Sequence, residues 1–399
     1  MFNGTAIHLT KSIGPASYGV GQVALNLACA QDVGGMRTEL WSLDSQGVAE
    51  RAADEVNLRR EVVRSFFQSK PGFLYFSKDM ETAARGTTFK PPVVVHQHMI
   101  WLLYSRTALI FAKESGARVV IAPHGALDDW ALAKSRWKKG IARLAWEGGN
   151  LHGAHCLHAT SEREVTNFRD YGLQNPIARI NNGVTHEQMA GVGQGEVFRA
   201  QHGIGADRRL LLFIARISRQ KGLPMLLAAM DAQRARLGNW LLVVAGTDQD
   251  GHVAEVKELA AKMGLAEHVV FVGPLFGQPK LDAFAASEAF VLPSHCEGSP
   301  MIVLEAMAGR LPILCTKAAS WGELETHKCG WWPEISIDSV RDALGDLLSK
   351  SEAELAEMGD RAHALVAMEY TWKEAAERTS ALYSWLTKQG PKPDFIIQD

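Results

Sequence analysis

The sequence predicts an α/β protein built on two parallel sheets, and three observations lead there. Short apolar, β-branched runs alternate with longer helical stretches from one end of the chain to the other, the rhythm of parallel strands joined by crossover helices. The chain has 399 residues, whereas a single core stops growing at roughly 250–300 residues, so two domains are expected. With 47% hydrophobic and 22% charged residues, the composition is that of a soluble globular protein with enough apolar side chains for both cores.

The elements follow in order. Strands are expected at 5–9, 38–43, 62–66, 92–96, 118–123 and 156–159, then at 210–217, 241–246, 269–273, 289–293 and 312–315, with helices between them. Together they make two Rossmann-like sheets. Gly191, Gly193 and Gly195 in GVGQGEV read as linker composition, which places the boundary near residue 187, with domains over 1–187 and 188–369. Beyond Asp338 the parallel rhythm gives way to helices at about 338–349, 352–368 and 371–388. Residues 370–399 are read as a last helix that crosses back to the first domain, followed by a frayed tail, PKPDFIIQD. Two such sheets place the loops at their carboxyl ends on either side of one cleft, where ligands of open α/β sheets bind.

Charge and cysteine usage exclude several functions. The 42 basic and 44 acidic side chains leave a net charge of −2, so no overall field gathers nucleic acid. Five cysteines, at 29, 156, 296, 315 and 329, form no C-x-x-C pair, which fits reduced thiols in the cytoplasm better than disulfides or zinc. The stretch MFNGTAIHLTKSIGP lacks the basic n-region and long apolar run of a secretory signal, and nowhere do eighteen or more uncharged apolar residues run together, so neither a signal nor a membrane span is expected.

Two segments carry chemistry. In the run from Phe213 to Gly222, a buried strand ends in a loop holding Arg216, Arg219 and Lys221 before a helix begins near Leu223. Arg216 and Lys221 can both reach one phosphate-sized anion at the strand's end, helped by the free N–H groups of the next helix. A solvated basic turn is the structural alternative. In the run from Pro293 to Ala306, Glu297 precedes a helix and Glu305 lies on its second turn. Two carboxylates flanking one helix start can accept hydrogen bonds from sugar hydroxyls and a ribose diol. Alternatively, Glu297 caps the helix and Glu305 faces solvent.

In combination, A-R-x-x-x-x-K-G followed about eighty residues later by E-G-S-P-x-x-x-x-E resembles the retaining family 4 glycosyltransferases (glycosyl transferases group 1) of the GT-B fold, two Rossmann-like domains facing each other across a cleft. Further marks are Ile13-Gly14-Pro15, His124-Gly125-Ala126-Leu127, His158-Ala159-Thr160-Ser161-Glu162, the run from Pro176 to Val184, and Tyr370-Thr371-Trp372. Ser161 with Glu164 reads as a capping box. The resemblance implies that Arg216 and Lys221 hold the donor diphosphate and stabilise charge on the departing nucleotide. It assigns Glu305 to the nucleotide ribose, Glu297 to donor-sugar hydroxyls, and the backbone of Gly298, Ser299, Pro300, Met301 and Ile302 to sugar and phosphate. Pro300 lacks an N–H to give. His124 would face the donor sugar, with a structural histidine as the alternative, and Gly14 would let the first loop approach the diphosphate closely. Asp128 and Asp129 would either orient acceptor hydroxyls or cap the following helix.

Other signals are set aside. Asp248-Gln249-Asp250 is a D-x-D in a turn, and the diphosphate already has cations, so no metal is expected. His96, His98, His152, His155 and His158 lack the carboxylate or cysteine spacing of a metal site. Lys134, Arg136, Lys138, Lys139 and Arg143 interleave with Trp137, Leu144 and Trp146 in an expected long helix. That helix either lies on an anionic membrane surface or packs its tryptophans inward.

The resulting expectation is a cytoplasmic enzyme, at the inner face of the membrane if that helix docks there. It is a metal-independent, cofactor-free, retaining hexosyltransferase. It would move a sugar from a UDP- or GDP-sugar to a hydroxyl of a glycan or lipid-linked glycan in bacterial surface or exopolysaccharide assembly. No carboxylate nucleophile with its base is marked, so front-face transfer is favoured, with the domains closing on the donor. A nucleotide-sugar epimerase and a non-catalytic nucleotide-sugar binding protein are the alternatives.

Overall fold

The computed structural model describes residues 2–14, 17 and 19–398. It divides into two compact units, one running to Gly183 and resuming at Trp372, the other from Val184 to Thr371. The division falls at Val184 because its N–H donates to Tyr370 O at 2.9 Å and its backbone bridges Thr371, which ties both ends of the second unit together. Pro15 of the Ile13-Gly14-Pro15 segment lies outside the described residues.

The first unit opens with β1 (Thr5–Leu9), β2 (Arg37–Ser42), β3 (Val63–Ser65), β4 (Val93–His98), β5 (Arg118–Ala122), β6 (Cys156–Ala159) and β7 (Ile177–Arg179). The second carries β8 (Arg209–Ile214), β9 (Trp240–Ala245), β10 (Val269–Gly273), β11 (Ala289–Leu292), β12 (Ile313–Cys315) and β13 (Gly330–Trp331) in the order β10-β9-β8-β11-β12-β13, all parallel. A last strand, β14 (Ile396–Ile397), returns to the first sheet, whose order is β14-β7-β6-β5-β4-β1-β2-β3. β1 and β9 are buried along their whole length; β9, WLLVVA, accordingly reads as an unbroken apolar run, whereas β1 carries the buried polar Thr5 and His8. β4 is equally buried yet ends His96-Gln97-His98, so its polar side chains must find partners inside.

Several expectations are corrected. The tail is not frayed: Ile396 and Ile397 pair antiparallel with Ala178 and Ile177, and Arg179 N–H donates to Phe395 O. This makes the first sheet mixed and covers an edge that would otherwise be open. β7 and β13 are too short to show any alternation in sequence. Gly193 and Gly195 do not form a linker, since a Cβ at Gly193 would lie 2.1 Å from Leu281 O and one at Gly195 2.7 Å from Ala285 O; both are packing glycines. The basic segment is not one long helix. It breaks into Asp129–Ala133, Arg136–Ala142, a π-helical turn over Arg143–Glu147, and Gly148–Gly153, with Ser135 left-handed at φ 55°.

The helix Trp372–Leu386 belongs to the first unit, where it packs on the helix Val20–Val33. Gln31 Nε2 donates to Thr379 Oγ1 at 2.9 Å, and Phe2 N–H to Ser380 Oγ at 3.1 Å. Among the described residues, no helix is long and apolar enough to cross a membrane.

Candidate active site

In the second unit, β8 ends and the chain turns through a short 3-10 segment, Arg219–Lys221, into the helix Leu223–Ala232. Gly222 makes the turn at φ 70°, and a Cβ there would stand 1.8 Å from Pro293 O. Only glycine allows the cationic turn to lie this close to the strand end that leads to Glu297. Gln220 fastens the same two loops: its carbonyl accepts from His295 N–H and its Nε2 donates to Cys296 O, both at 2.8 Å.

That stitching sets Lys221 beside Glu297. Nζ lies 2.5 Å from Oε1, with the side chains only 12% and 8% exposed. Ser294 Oγ donates to the same oxygen at 2.5 Å. Glu297 caps no helix, because the helix Met301–Ala308 starts after Pro300 without a side-chain cap. Its first turn leaves the N–H groups of Met301 and Ile302 without intrahelical acceptors. Arg216 is exposed, with Nη1 3.4 Å from Gln249 Oε1, so the two sequence-predicted cations differ: one is held in an ion pair and one extends toward solvent.

Glu305 does not face solvent. Lys280 Nζ lies 2.7 Å from its Oε2 and Gln188 Nε2 donates to its Oε1 at 3.0 Å. Sequence reasoning missed Lys280, Gln188, Ser294 and Gln220. Lys280 and Gln188 lie in segments remote from the glutamates, while Gln220 and Ser294, inside the two runs themselves, are ordinary polar residues that nothing in the sequence marks as partners.

In the first unit, His124 follows β5 with a left-handed backbone, φ 53°, before Gly125 at φ 75°. For a non-glycine residue this conformation costs about 1–3 kcal/mol and persists only when the surroundings enforce it. They do so from three sides. Glu164 accepts from Gly125 N–H, Trp101 Nε1 donates to Ala126 O at 3.0 Å, and His98 Nδ1 lies 3.0 Å from His124 Nε2. Glu164 is therefore more than a helix cap. Ser161 Oγ accepts from Glu164 N–H, but the carboxylate turns to Thr160 and Gly125 instead of closing a capping box. Burial raises its pKa, partly offset by the hydrogen bonds from Thr160 and Gly125.

The His98 contact opens into a buried row of imidazoles. His8 Nδ1 stands 2.9 Å from His98 Nε2, His158 Nδ1 3.1 Å from His96 Nε2, and His96 Nδ1 2.7 Å from Tyr383 OH. Burial depresses all five pKa values, to about 3 for His124, to about 4 for His8 and His158, and well below the ordinary range for His96 and His98. The rings are neutral at pH 7.

Gly14 sits in a loop pinned by Asp44, which accepts from Ser12 Oγ and from Ile13 N–H at 2.7 Å each. A Cβ on Gly14 would meet Val48 Cγ1 at 2.6 Å. Asp128 is committed to structure: it caps the helix Asp129–Ala133 through Trp130 N–H and pairs with Arg163 at 2.9 Å. These contacts agree with the helix-cap alternative for Asp128, while Asp129 is exposed. Asp248 of the D-x-D accepts from Val253 N–H at a helix start.

The comparisons decide the family. Residues 18–183 match the glycosyl transferase 4-like domain, and residues 195–364 match glycosyl transferases group 1. The chain belongs to the family 4 glycosyltransferases of the GT-B fold. A GDP-mannose:cellobiosyl-diphosphopolyprenol alpha-mannosyltransferase of Xanthomonas campestris is 27% identical to this glycosyltransferase over 313 residues, 77% of each chain. Two further relatives are covered over 45% and 62% of their own lengths. The fold is shared with a sucrose-phosphate synthase from Thermosynechococcus elongatus at a TM-score of 0.75 and 18% identity, over 97% of this chain and 100% of that one. It is also shared with Anabaena HepE, solved with UDP and glucose, at 0.71 and 16%, over 96% and 100%.

Proposed function

We propose that this glycosyltransferase is retaining and metal-independent, and that it moves a sugar from a UDP- or GDP-sugar to a hydroxyl of a glycan or lipid-linked glycan during assembly of a bacterial surface polysaccharide. The observation that carries the reading is the pairing of Lys221 with Glu297 beneath a glycine turn and a helix start. A nearly buried lysine exchanges its carboxylate partner for the donor diphosphate, and Glu297 is freed to accept from sugar hydroxyls. Arg216, exposed in the same loop, closes on the same phosphates. Glu305, oriented by Lys280 and Gln188, takes the ribose diol. In the first unit, His124 is assigned to the donor sugar and Gly14 to the diphosphate.

In this reading the acceptor hydroxyl attacks on the face of the leaving group. The bond from the anomeric carbon to the diphosphate breaks as the bond to the acceptor oxygen forms. The hydroxyl proton passes to the departing phosphate oxygen, and the cations stabilise the charge that develops there. The activity for which the Xanthomonas relative is named supports a GDP-sugar and a diphosphopolyprenol acceptor, while HepE with UDP and glucose supports a uridine donor. A thermal-shift panel of UDP, GDP, ADP and their sugar conjugates, in EDTA and then in magnesium, tests it, because a ligand of the native state raises the melting temperature. A shift with one nucleotide family, kept in EDTA and lost in Lys221→Ala, is expected. No shift with any nucleotide would refute the donor site.

A lipid-linked acceptor is favoured by the broken basic segment. Trp137 is 68% and Leu144 90% exposed, Ile141 is exposed beside them, and Lys134, Arg136, Lys138 and Arg143 surround them. Apolar side chains set among cations fit an anionic membrane surface, each cation contributing about 1 kcal/mol. The enzyme would then work at the cytoplasmic face of that membrane.

A further inference from the structure

We infer that His98 and His8, locked in place by Gln31 and Thr379, are positioning residues that hold His124 in one neutral tautomer, with its proton on Nε2 and a bare Nδ1 that meets the donor sugar as a hydrogen-bond acceptor. This rests on the assignment of His124 to the donor sugar; the tautomer itself follows from hydrogen-bond direction alone.

The chain of constraints starts on the C-terminal helix. Thr379 Oγ1 donates to Ala376 O at 3.0 Å, so it accepts from Gln31 Nε2 at 2.9 Å. That fixes the Gln31 amide, whose Oε1 then faces His8 Nε2 at 2.8 Å. His8 Nε2 therefore carries the hydrogen, and in a neutral ring Nδ1 is bare. It accepts from His98 Nε2–H at 2.9 Å. His98 Nδ1 is bare in turn and accepts from His124 Nε2–H at 3.0 Å. The remaining nitrogen, His124 Nδ1, has no hydrogen bond among the described residues.

A second branch closes independently. His158 Nε2 donates to Ile180 O at 2.9 Å, so its Nδ1 accepts from His96 Nε2–H, and His96 Nδ1 accepts from the Tyr383 hydroxyl. Every proton in both branches has one place. Reversing the first branch would set the bare His8 Nε2 against Gln31 Oε1, two acceptors with nothing between them in a buried site.

One ring nitrogen from each of His8, His96 and His98 lies within 4.8 Å of the others, a spacing that a metal ion could bridge. Each of the three rings is already engaged with its neighbours, however, and no thiolate or carboxylate is among them to offset a buried divalent charge. The cluster is better described as a hydrogen-bonded wire than as a coordination sphere. Its effect is chemical selectivity: a bare Nδ1 receives a hydrogen bond from a sugar hydroxyl and cannot give one.

The full chain, labelled with ¹⁵N-histidine and assigned with His124→Asn, reports the tautomer through long-range proton–nitrogen correlations. The expected result at pH 7 is His124 protonated on Nε2 alone. A proton on Nδ1, a charged ring, or tightly bound stoichiometric metal on elemental analysis would overturn the proposal. In His98→Leu the His124 signal should become a tautomer mixture and kcat should fall about tenfold, the worth of one hydrogen bond. His98→Gln, which keeps a donor and an acceptor, should recover most of both. Unchanged tautomers in a folded His98→Leu would equally overturn the lock. Because the spectrum is read without substrate, a correct tautomer combined with full activity in His124→Asn would fault the donor-sugar assignment and leave the lock standing.

Discussion

Lys221 Nζ and Glu297 Oε1 are 2.5 Å apart, with both side chains nearly buried and Ser294 donating to the same carboxylate oxygen. Removing one member of such a pair leaves the other charge without compensation, which costs about 3–5 kcal/mol at full burial and less here, where a little water reaches both. Glu297→Gln should therefore lower the melting temperature of the free protein. It should also enlarge the rise produced by a nucleoside diphosphate, since the ligand then supplies the missing anion. Lys221→Ala should lose the ligand response. Equal ligand shifts in wild type and Glu297→Gln would show that the pair does not open toward a phosphate.

Glu305 is held by one cation and one amide, Lys280 and Gln188. If its task is to orient toward a ribose, Lys280→Ala should weaken nucleotide binding about tenfold, as expected for one charge-assisted hydrogen bond. The free bases should be unaffected. Calorimetric titration of the nucleotide against its deoxyribose analogue checks this. A similar loss for both would remove the ribose from the explanation.

The buried imidazoles make stability depend on pH with a definite sign. Their folded pKa values lie below the ordinary 6.5, so the unfolded chain binds more protons once the pH drops below 6.5. Their contribution is fully present above that value and is lost progressively down to the folded values. Each costs about 1.4 kcal/mol per pH unit in that window. Glu147, Glu164 and Glu288, raised by burial, act in the opposite direction but are three against five. Urea midpoints should fall clearly from pH 7 to pH 5, and a flat profile would contradict buried neutral histidines.

Liposomes test the exposed basic segment. Trp137→Ala with Leu144→Ala, and separately Lys138→Ala with Lys139→Ala and Arg143→Ala, should each reduce pelleting with anionic vesicles several-fold, while neutral vesicles should bind little. Lys139 also donates to Ala131 O, so melting curves accompany the second set. Equal pelleting of both sets with wild type would exclude the membrane face.

Local chemistry was legible in the sequence because its residues are neighbours along the chain. Arg216 and Lys221 share one strand-to-helix loop, Glu297 and Glu305 share one helix start, and each strand of five or more residues overlaps a stretch expected from the sequence. The partners were not legible. Lys280 reaches Glu305 from another helix, Glu164 reaches Gly125 across the sheet, and the order Thr379, Gln31, His8, His98, His124 joins residues up to 348 positions apart at a single bond. The short β7, β13 and β14 gave no period to read, and the break at Ser135 had no proline or glycine to mark it.

The sequence by itself therefore determined the α/β class, the two units, the family and the side chains that could meet a phosphate or a sugar. Only the tertiary structure decided which of those charges are paired, which residues pin them, that the tail becomes a strand, and on which nitrogen His124 carries its proton. The physical reason is directional: apolar burial and loop chemistry follow from local order, whereas a hydrogen bond or ion pair depends on the distance and angle between groups that only the folded chain brings together.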